Sequence, residues 1–204
     1  TDKGFDQDDV RWADRRTRAL YRATATDLIE LLVPTLQSLE PGQRAHLRQR
    51  MDQRNARYRD RFVTVSAYDR ARAIGDRIIE QVERWTGPLE RQQRVLVYQR
   101  SAELPDTAAD WHGFRARMQA RLLELLEQDA SAARISRHLR SWWIEFEPRA
   151  PEQVAATDTL RADVRDLLVD LAGSLTPAQR VSATRRLRSL ADDLVQLART
   201  EQTD

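Results

Sequence analysis

The sequence has no cysteine. That absence removes thiol catalysis, redox cycling and zinc sites built on thiolate. It leaves the compartment open, because a helical core in a chain of 204 residues needs no disulfides. Backbone breakers are scarce: six glycines and seven prolines, about half the roughly 12% of an average chain. Lysine is nearly missing too, since Lys3 is the only one among 34 cationic residues. Long apolar runs are lacking. The greasiest stretch, Leu28-Ile29-Glu30-Leu31-Leu32-Val33, is far short of the ~18 residues of a membrane span. The start, Thr1-Asp2-Lys3-Gly4-Phe5, has no apolar signal core, and the chain reads as soluble.

What is present is charge and periodic apolar residues. Charged residues make up 32% and hydrophobic ones 41%, too apolar for a disordered polyelectrolyte. The net charge is only +2 despite a pI near 9.4. Arginine does not titrate below pH 12, so a small excess of it moves the pI far without making the chain basic at pH 7. General nucleic-acid binding is therefore disfavoured.

Apolar positions recur at three- and four-residue steps almost throughout, which predicts helices. The first runs from about Asp8 to Leu39, with Leu20, Leu28, Leu31, Leu32 and Leu36 on its apolar side and a kink or split at Pro34. The second, Pro41 to Val65, carries Leu47, Met51, Tyr58, Phe62 and Val65. The third, Tyr68 to Trp85, carries Ala71, Ile74, Ile78, Val82 and Trp85, and Gly87-Pro88 stops it. A shorter helix covers Leu89 to Ala102. Pro105-Asp106-Thr107 opens the next, where Trp111, Phe114, Met118, Leu122 and Leu125 form the clearest stripe. Ser131 starts a helix with Ile135, Leu139, Trp142 and Trp143, ended by Pro148 and Pro151. Two more span Glu152 to Ser174 and Pro177 to Arg199, with Leu160, Val164, Leu167, Leu171 and with Leu187, Leu190, Leu194, Leu197. No run alternates as a strand does. The expected fold is an all-α antiparallel bundle of about seven or eight helices with no sheet. It forms a single all-helical domain over 1–204, or two helical sub-lobes meeting near 86–106.

Three segments share Leu-x-x-x-Gln-Arg: Leu39 to Arg44, Leu89 to Arg94 and Leu175 to Arg180. Each falls where a helix begins. In the third, Thr176 can accept from the Gln179 N–H while Gln179 reaches back to the Thr176 N–H, with Pro177 at the first helical position. Glu40 and Glu90 hold the capping position of the other two and are poorer caps.

Chemistry is sparse. His46, His112 and His138 are far apart, no H-E-x-x-H or EF-hand pattern occurs, and no metal or cofactor is expected. No G-x-S-x-G element or phosphate-cradling glycine loop is present. Asp192-Asp193 and Glu145/Glu147 read as solvated faces. No catalytic residue is predicted and the chain is not expected to be an enzyme. Arginine placement is more informative: Pro41 to Val65 holds seven arginines and two acids. Arg50, Arg54, Arg57 and Arg61 form one ridge beside the apolar stripe. The ridge can dock an acidic protein surface, lipid head groups or nucleic-acid phosphate. It can equally pair with acids of neighbouring helices, such as Glu80, Glu83, Glu124 and Glu127, or stay solvated. Ser101 to Ala130, with six acids and three arginines, is a complementary surface within the chain. Trp142 and Trp143 are adjacent and cannot both face one core in a regular helix. Either one is buried and the other lines a groove or partner interface, or both pack between two layers. The six residues Arg50, Arg54, Arg57, Arg61, Trp142 and Trp143 are the candidate partner-binding set.

The L-T-P-x-Q signature followed by an Arg-rich amphipathic helix resembles the repeat motif of the Spy/CpxP periplasmic chaperones. LEPGQRAHLRQRMDQRNARYRDR (Leu39 to Arg61), ERWTGPLERQQRVLVYQRSAEL (Glu83 to Leu104) and LTPAQRVSATRRLRSLADDLVQLA (Leu175 to Ala198) are similar in order and spacing to an uncharacterised family of proteobacterial helical lipoproteins. That similarity covers roughly Val10 to Ala198. It implies an envelope protein facing the periplasm, exported with a signal peptide and tethered through a lipidated cysteine. Neither feature is in the sequence, and a chain trimmed after the anchor would account for both. The family offers no catalytic residues. The expected function is a non-enzymatic, chaperone-like protein-binding module whose partner is another protein, with no nucleic acid and membrane attachment only through the lipid. The alternative is an immunity- or inhibitor-type lipoprotein that neutralises one secreted toxin or enzyme.

Overall fold

The computed structural model describes residues 7–200, and the side chains of 12, 15–190, 192 and 193 within them. Eight α-helices occupy this span: α1 Gln7–Gln37, α2 Pro41–Phe62, α3 Ala67–Thr86, α4 Arg91–Glu103, α5 Ala108–Glu127, α6 Ala132–Arg140, α7 Pro151–Gly173 and α8 Pro177–Thr200. A π-helical turn, Ser141–Glu145, extends α6. No strand occurs among the described residues. The chain is all-α, and the connections are as short as the breakers predict.

The helices fall into two compact units, each assembled from two separate stretches of chain. Among the described residues, unit 1 takes 67–104 and 163–200, and unit 2 takes 7–66 and 105–162. The last change of unit falls inside α7. In unit 1, α3 packs on α4 and on α8. Its core is Ile79, Leu89, Val97, Leu167 and Leu171, lined by Ile78, Val82, Leu96, Tyr98 and Leu175. In unit 2, α2 packs on α5 and α1 on α6. Its core is Ile29, Val33, Leu122, Leu125, Leu126, Ala130, Ile135 and Leu139.

Several stripes sit in a different register from that predicted. Pro34 does not split α1, which runs on to Gln37. Pro34 lies one turn from the helix end, and its own carbonyl still accepts the Ser38 N–H at 3.1 Å, so only one donor is lost. The buried face of α1 is Ala25, Ile29 and Val33, with Leu36 packed beside it. Leu20 and Leu31 are 66% and 73% exposed. They are eleven residues apart, three helical turns, and stand opposite Ile29. On α3 the buried positions are Gly75, Ile79 and Thr86, and Trp85 is exposed. A Cβ on Gly75 would come within 2.6 Å of the Tyr98 ring. The close approach of α4 sets the α3 register, and no apolar count reveals that. On α8, Leu187 and Leu190 are exposed, so these two do not lie on a core face. The side chains of Leu194 and Leu197 lie outside those described. The α5 stripe is buried from Phe114 through Met118 and Leu122 to Leu125.

The Gln-Arg repeat is a helix start in all three places. Gln43, Gln93 and Gln179 each accept, through Oε1, the N–H of Glu40, Glu90 and Thr176 at 2.9, 2.8 and 3.0 Å. The Gln179 N–H returns a bond to Thr176 Oγ1 at 3.3 Å, completing the reciprocal cap. Arg44 and Arg180 turn back to the carbonyls of Leu39 and Leu175 at 2.8 and 3.1 Å. In these two copies the arginine closes the turn the glutamine opens, whereas Arg94 donates to Glu83 at 2.8 Å. Ser131 starts α6 by position, and its side chain makes no capping bond.

Candidate functional site

Unit 2 carries all six candidate residues. Arg50, Arg54, Arg57 and Arg61 are exposed along α2. Among the described residues none of the four makes a salt bridge. Arg57 Nε bonds the Gln53 carbonyl one turn back at 3.3 Å, and the Arg61 guanidinium lies 5.4 Å from the Phe62 ring centroid. The acids weighed as partners are engaged elsewhere. Glu80 and Glu83 take Arg84 and Arg94, while Glu124 and Glu127 take Arg121 and Arg48. The α2–α5 seam consumes the arginines on the other flank of α2. Arg44 donates to the Leu126 carbonyl and to Asp129, and Arg48 donates to Glu127 at 2.6 Å.

Further along that seam, Asn55 Nδ2 donates to Gln119 Oε1 at 2.6 Å, and Arg115 Nε donates to Asn55 Oδ1 at 2.9 Å. The Arg115 guanidinium stacks 4.6 Å over Tyr58, and burial lowers its pKa below the ordinary arginine value. Its Nη2 is buried with no hydrogen-bond partner.

Trp142 and Trp143 both pack half-buried against the unit 2 core, their ring centroids 5.9 Å apart. Neighbours on a regular α-helix diverge, but this segment is a π-helical turn. The wider turn and the size of indole let both rings reach one cluster. The Trp143 carbonyl accepts Tyr21 Oη at 2.8 Å. The pair closes the core of unit 2 against α1.

A pocket missed in the sequence opens just past this turn. Its volume is about 400 Å³, within the range of small-ligand sites, roughly 300–1,000 Å³. Trp111 and Phe114 of α5, Phe146, Arg149 and the first three turns of α7 line it, with Tyr58 from α2. Phe146 sits at φ 57°, ψ 41°, a left-handed conformation that costs a bulky residue on the order of 1–3 kcal/mol. Several contacts hold it there. Its carbonyl accepts Arg149 Nε at 2.8 Å. Its ring lies 6.2 Å from Trp111 and 6.4 Å from Tyr21. Beyond it, the Glu147 N–H and the Ser141 carbonyl bond at 3.0 Å, and Ser141 Oγ returns a bond to the Glu147 carbonyl at 2.9 Å. Trp111 and Phe114 belong to the predicted α5 stripe, but a left-handed phenylalanine carries no sequence signature.

The histidines are dispersed. His46 is exposed, and His112 stacks on Tyr58 with centroids 6.3 Å apart. His138 Nε2 bonds the Met118 carbonyl at 2.9 Å. Burial pushes the His138 pKa below its ordinary value; the Met118 bond opposes this, and the nearby Arg121 charge adds to it. Among the described residues no three His, Asp or Glu converge as metal ligands would, and no helix is long and apolar enough to cross a membrane. Asp192 and Asp193 are exposed on α8, and Glu145 and Glu147 flank Phe146.

An all-α chain with two interleaved helical units and an arginine-rich second helix is thus defined. It belongs to DUF6279, a family of unknown function, whose model matches residues 2–145. The matched stretch includes the α2 ridge and both tryptophans, whereas the third Gln-Arg copy lies beyond it. No curated protein and no solved structure matches the chain.

Proposed function

We propose that this protein is a non-enzymatic helical module of the cell envelope that binds another protein through unit 2. The observation that carries the reading is the division of labour on α2. Arg44 and Arg48 are bonded internally, while Arg50, Arg54, Arg57 and Arg61 stand exposed with no acid on them. A row of guanidiniums at helical spacing offers forked donors to carboxylates of an acidic partner. The exposed Leu20 and Leu31 on α1 supply the apolar surface a chaperone-like binder needs. Likeness of the one L-T-P-x-Q segment to the Spy/CpxP chaperones supports that form of binding. Likeness to helical lipoproteins supports a lipid-tethered position facing the periplasm.

The test is aggregation of an unfolded client at stoichiometric ratio, with and without Arg50, Arg54, Arg57 and Arg61 all changed to Glu. The unaltered chain is expected to delay aggregation and the quadruple variant to lose the delay while keeping its helicity. No delay over a range of clients removes the chaperone-like reading. Because the ridge is a discrete cationic patch, capture of one tight acidic partner, without any general client, would instead favour the inhibitor- or immunity-type reading.

A further inference from the structure

The pocket beside Phe146 has a property the ridge lacks: a guanidinium set in an aromatic wall without a carboxylate of its own. Arg149 is half-buried. Its Nε donates to the Phe146 carbonyl at 2.8 Å and its Nη1 to Thr157 Oγ1 at 3.1 Å. Both acceptors are neutral, and among the described residues Arg149 makes no salt bridge. Its guanidinium carbon lies 5.9 Å from the centroids of both Phe114 and Phe146. The nearby acids are engaged. Asp110 accepts from Gln153 Nε2 at 3.0 Å, and Asp158 holds the second cation of the pocket, Arg161, at 3.2 Å. A partly desolvated cation with neutral acceptors only is a receptor for an anion.

Tyr58, Trp111, Phe114, Phe146 and Leu160 make an apolar side beside a polar rim of Thr107, Asp110, Gln153, Thr157 and Arg161, and the volume is about 400 Å³. That is the size of a small-ligand site and not of a groove that takes a peptide strand or helix. The geometry points to a binding site for a small apolar carboxylate, its ring or chain against Trp111, Phe114 and Leu160 and its carboxylate on Arg149. A cationic ligand is the wrong sign, because Arg115 and Arg149 already lie by the rings of Tyr58, Phe114 and Phe146. The site is independent of the α2 ridge and of the protein-binding function proposed from it.

The experiment is a nuclear magnetic resonance titration of the full chain, following the Trp111 indole N–H, assigned with Trp111→Phe. The probes are phenylpropionate, indolepropionate, the neutral phenylpropanamide and a short peptide ending in phenylalanine with a free carboxylate. Both acids should give a saturable shift, with the amide at least about tenfold weaker. Arg149→Gln should weaken acid binding by about tenfold or more. Leu160→Trp, which fills the space and keeps the guanidinium, should abolish it. If Arg149→Gln does not fold, the acid-against-amide comparison in the unaltered chain decides. Absence of a saturable shift with either acid up to roughly 10 mM overturns the proposal. So does equal binding of acid and amide, binding unchanged in Arg149→Gln, or binding of the peptide at Trp111 without the free acids.

Discussion

In unit 1 the helix starts at Glu90 and Thr176 meet through a pair of amides. In unit 2 the matching start at Glu40 meets the α5–α6 turn through a guanidinium. Gln93 and Gln179 are 3% and 7% exposed. Each donates Nε2 to the other's Oε1, at 2.9 and 3.0 Å. Gln93 Nε2 also donates to the Ser174 carbonyl, and Gln179 Nε2 to the Pro88 carbonyl, at 2.9 and 2.8 Å. With the capping bonds, each amide has both donors and both acceptor positions filled. The arrangement is two-fold: 88, 90 and 93 on one side match 174, 176 and 179 on the other. Among the described residues of unit 2, Gln43 has no such amide partner. Gln43 is exposed, and Arg44 spans the gap to the Leu126 carbonyl and Asp129, helped by Gln37 Nε2 on the Ala130 carbonyl at 3.2 Å. The difference teaches that one motif can serve as a buried specificity device or as a surface cap, depending on what lies opposite. Unit 1, whose apolar core is the smaller of the two among the described residues, depends more on its polar pair.

The largest expected effect breaks unit 1 at this pair. Gln179→Leu should destabilise it by roughly 2–4 kcal/mol, because Gln93, the Thr176 N–H and the Pro88 carbonyl lose partners in a buried place. Hydrogen exchange should report the loss in 67–104 and 163–200 before α5. Adding Gln93→Leu should cost less than the sum of the two single changes. Gly75→Ala comes next, at about 1–3 kcal/mol, because the new methyl displaces the Tyr98 ring; chemical denaturation measures it. Arg44→Ala should cost unit 2 roughly 1–2 kcal/mol by removing bonds to two carbonyls. Asp129→Asn should stay within about 0.5 kcal/mol, since Asp129 is 81% exposed in that ion pair. Equal losses from the two changes would show that the salt bridge, not the carbonyl clamp, holds the turn.

The smallest effect is one of pH and belongs to unit 2. The His138 pKa is lowered on folding from its ordinary 6.5, so the unfolded chain binds the proton more readily. Stability is complete above about 6.5, falls as the pH drops below it, and levels off past the lowered folded value. His138→Gln, which can still donate to the Met118 carbonyl, should flatten that slope in thermal melts at pH 5 to 7.5 (about the range in which histidine titrates).

Helix identity and bounds were legible because breakers and capping residues are local. Glu40-Pro41-Gly42, Gly87-Pro88 and Ser174-Leu175-Thr176-Pro177 fall where helices change. The partner of each stripe was not legible. Ile29 and Leu31 look equally apolar in the sequence, and only the packing of α6 and α5 decides that Ile29 is buried and Leu31 is not. The repeat was legible as a cap, but the mutual bonding of Gln93 and Gln179 depends on residues 86 apart. The arginine ridge followed from spacing alone, since exposure needs no partner. The Phe146 pocket depends on a backbone conformation that periodicity does not encode, and the behaviour of the tryptophan pair depends on one wide turn.

The interleaved build of unit 1 has a consequence for biosynthesis. Gln93 leaves the ribosome well ahead of Gln179, and at roughly 5–20 residues per second the wait lasts on the order of 4–17 seconds. For most of that interval the nascent α3–α4 hairpin lacks Leu167 and Leu171, which will cover Ile79 and Val97. A stall or a cleavage within α7 would strand it with its greasy side uncovered, a substrate for quality control.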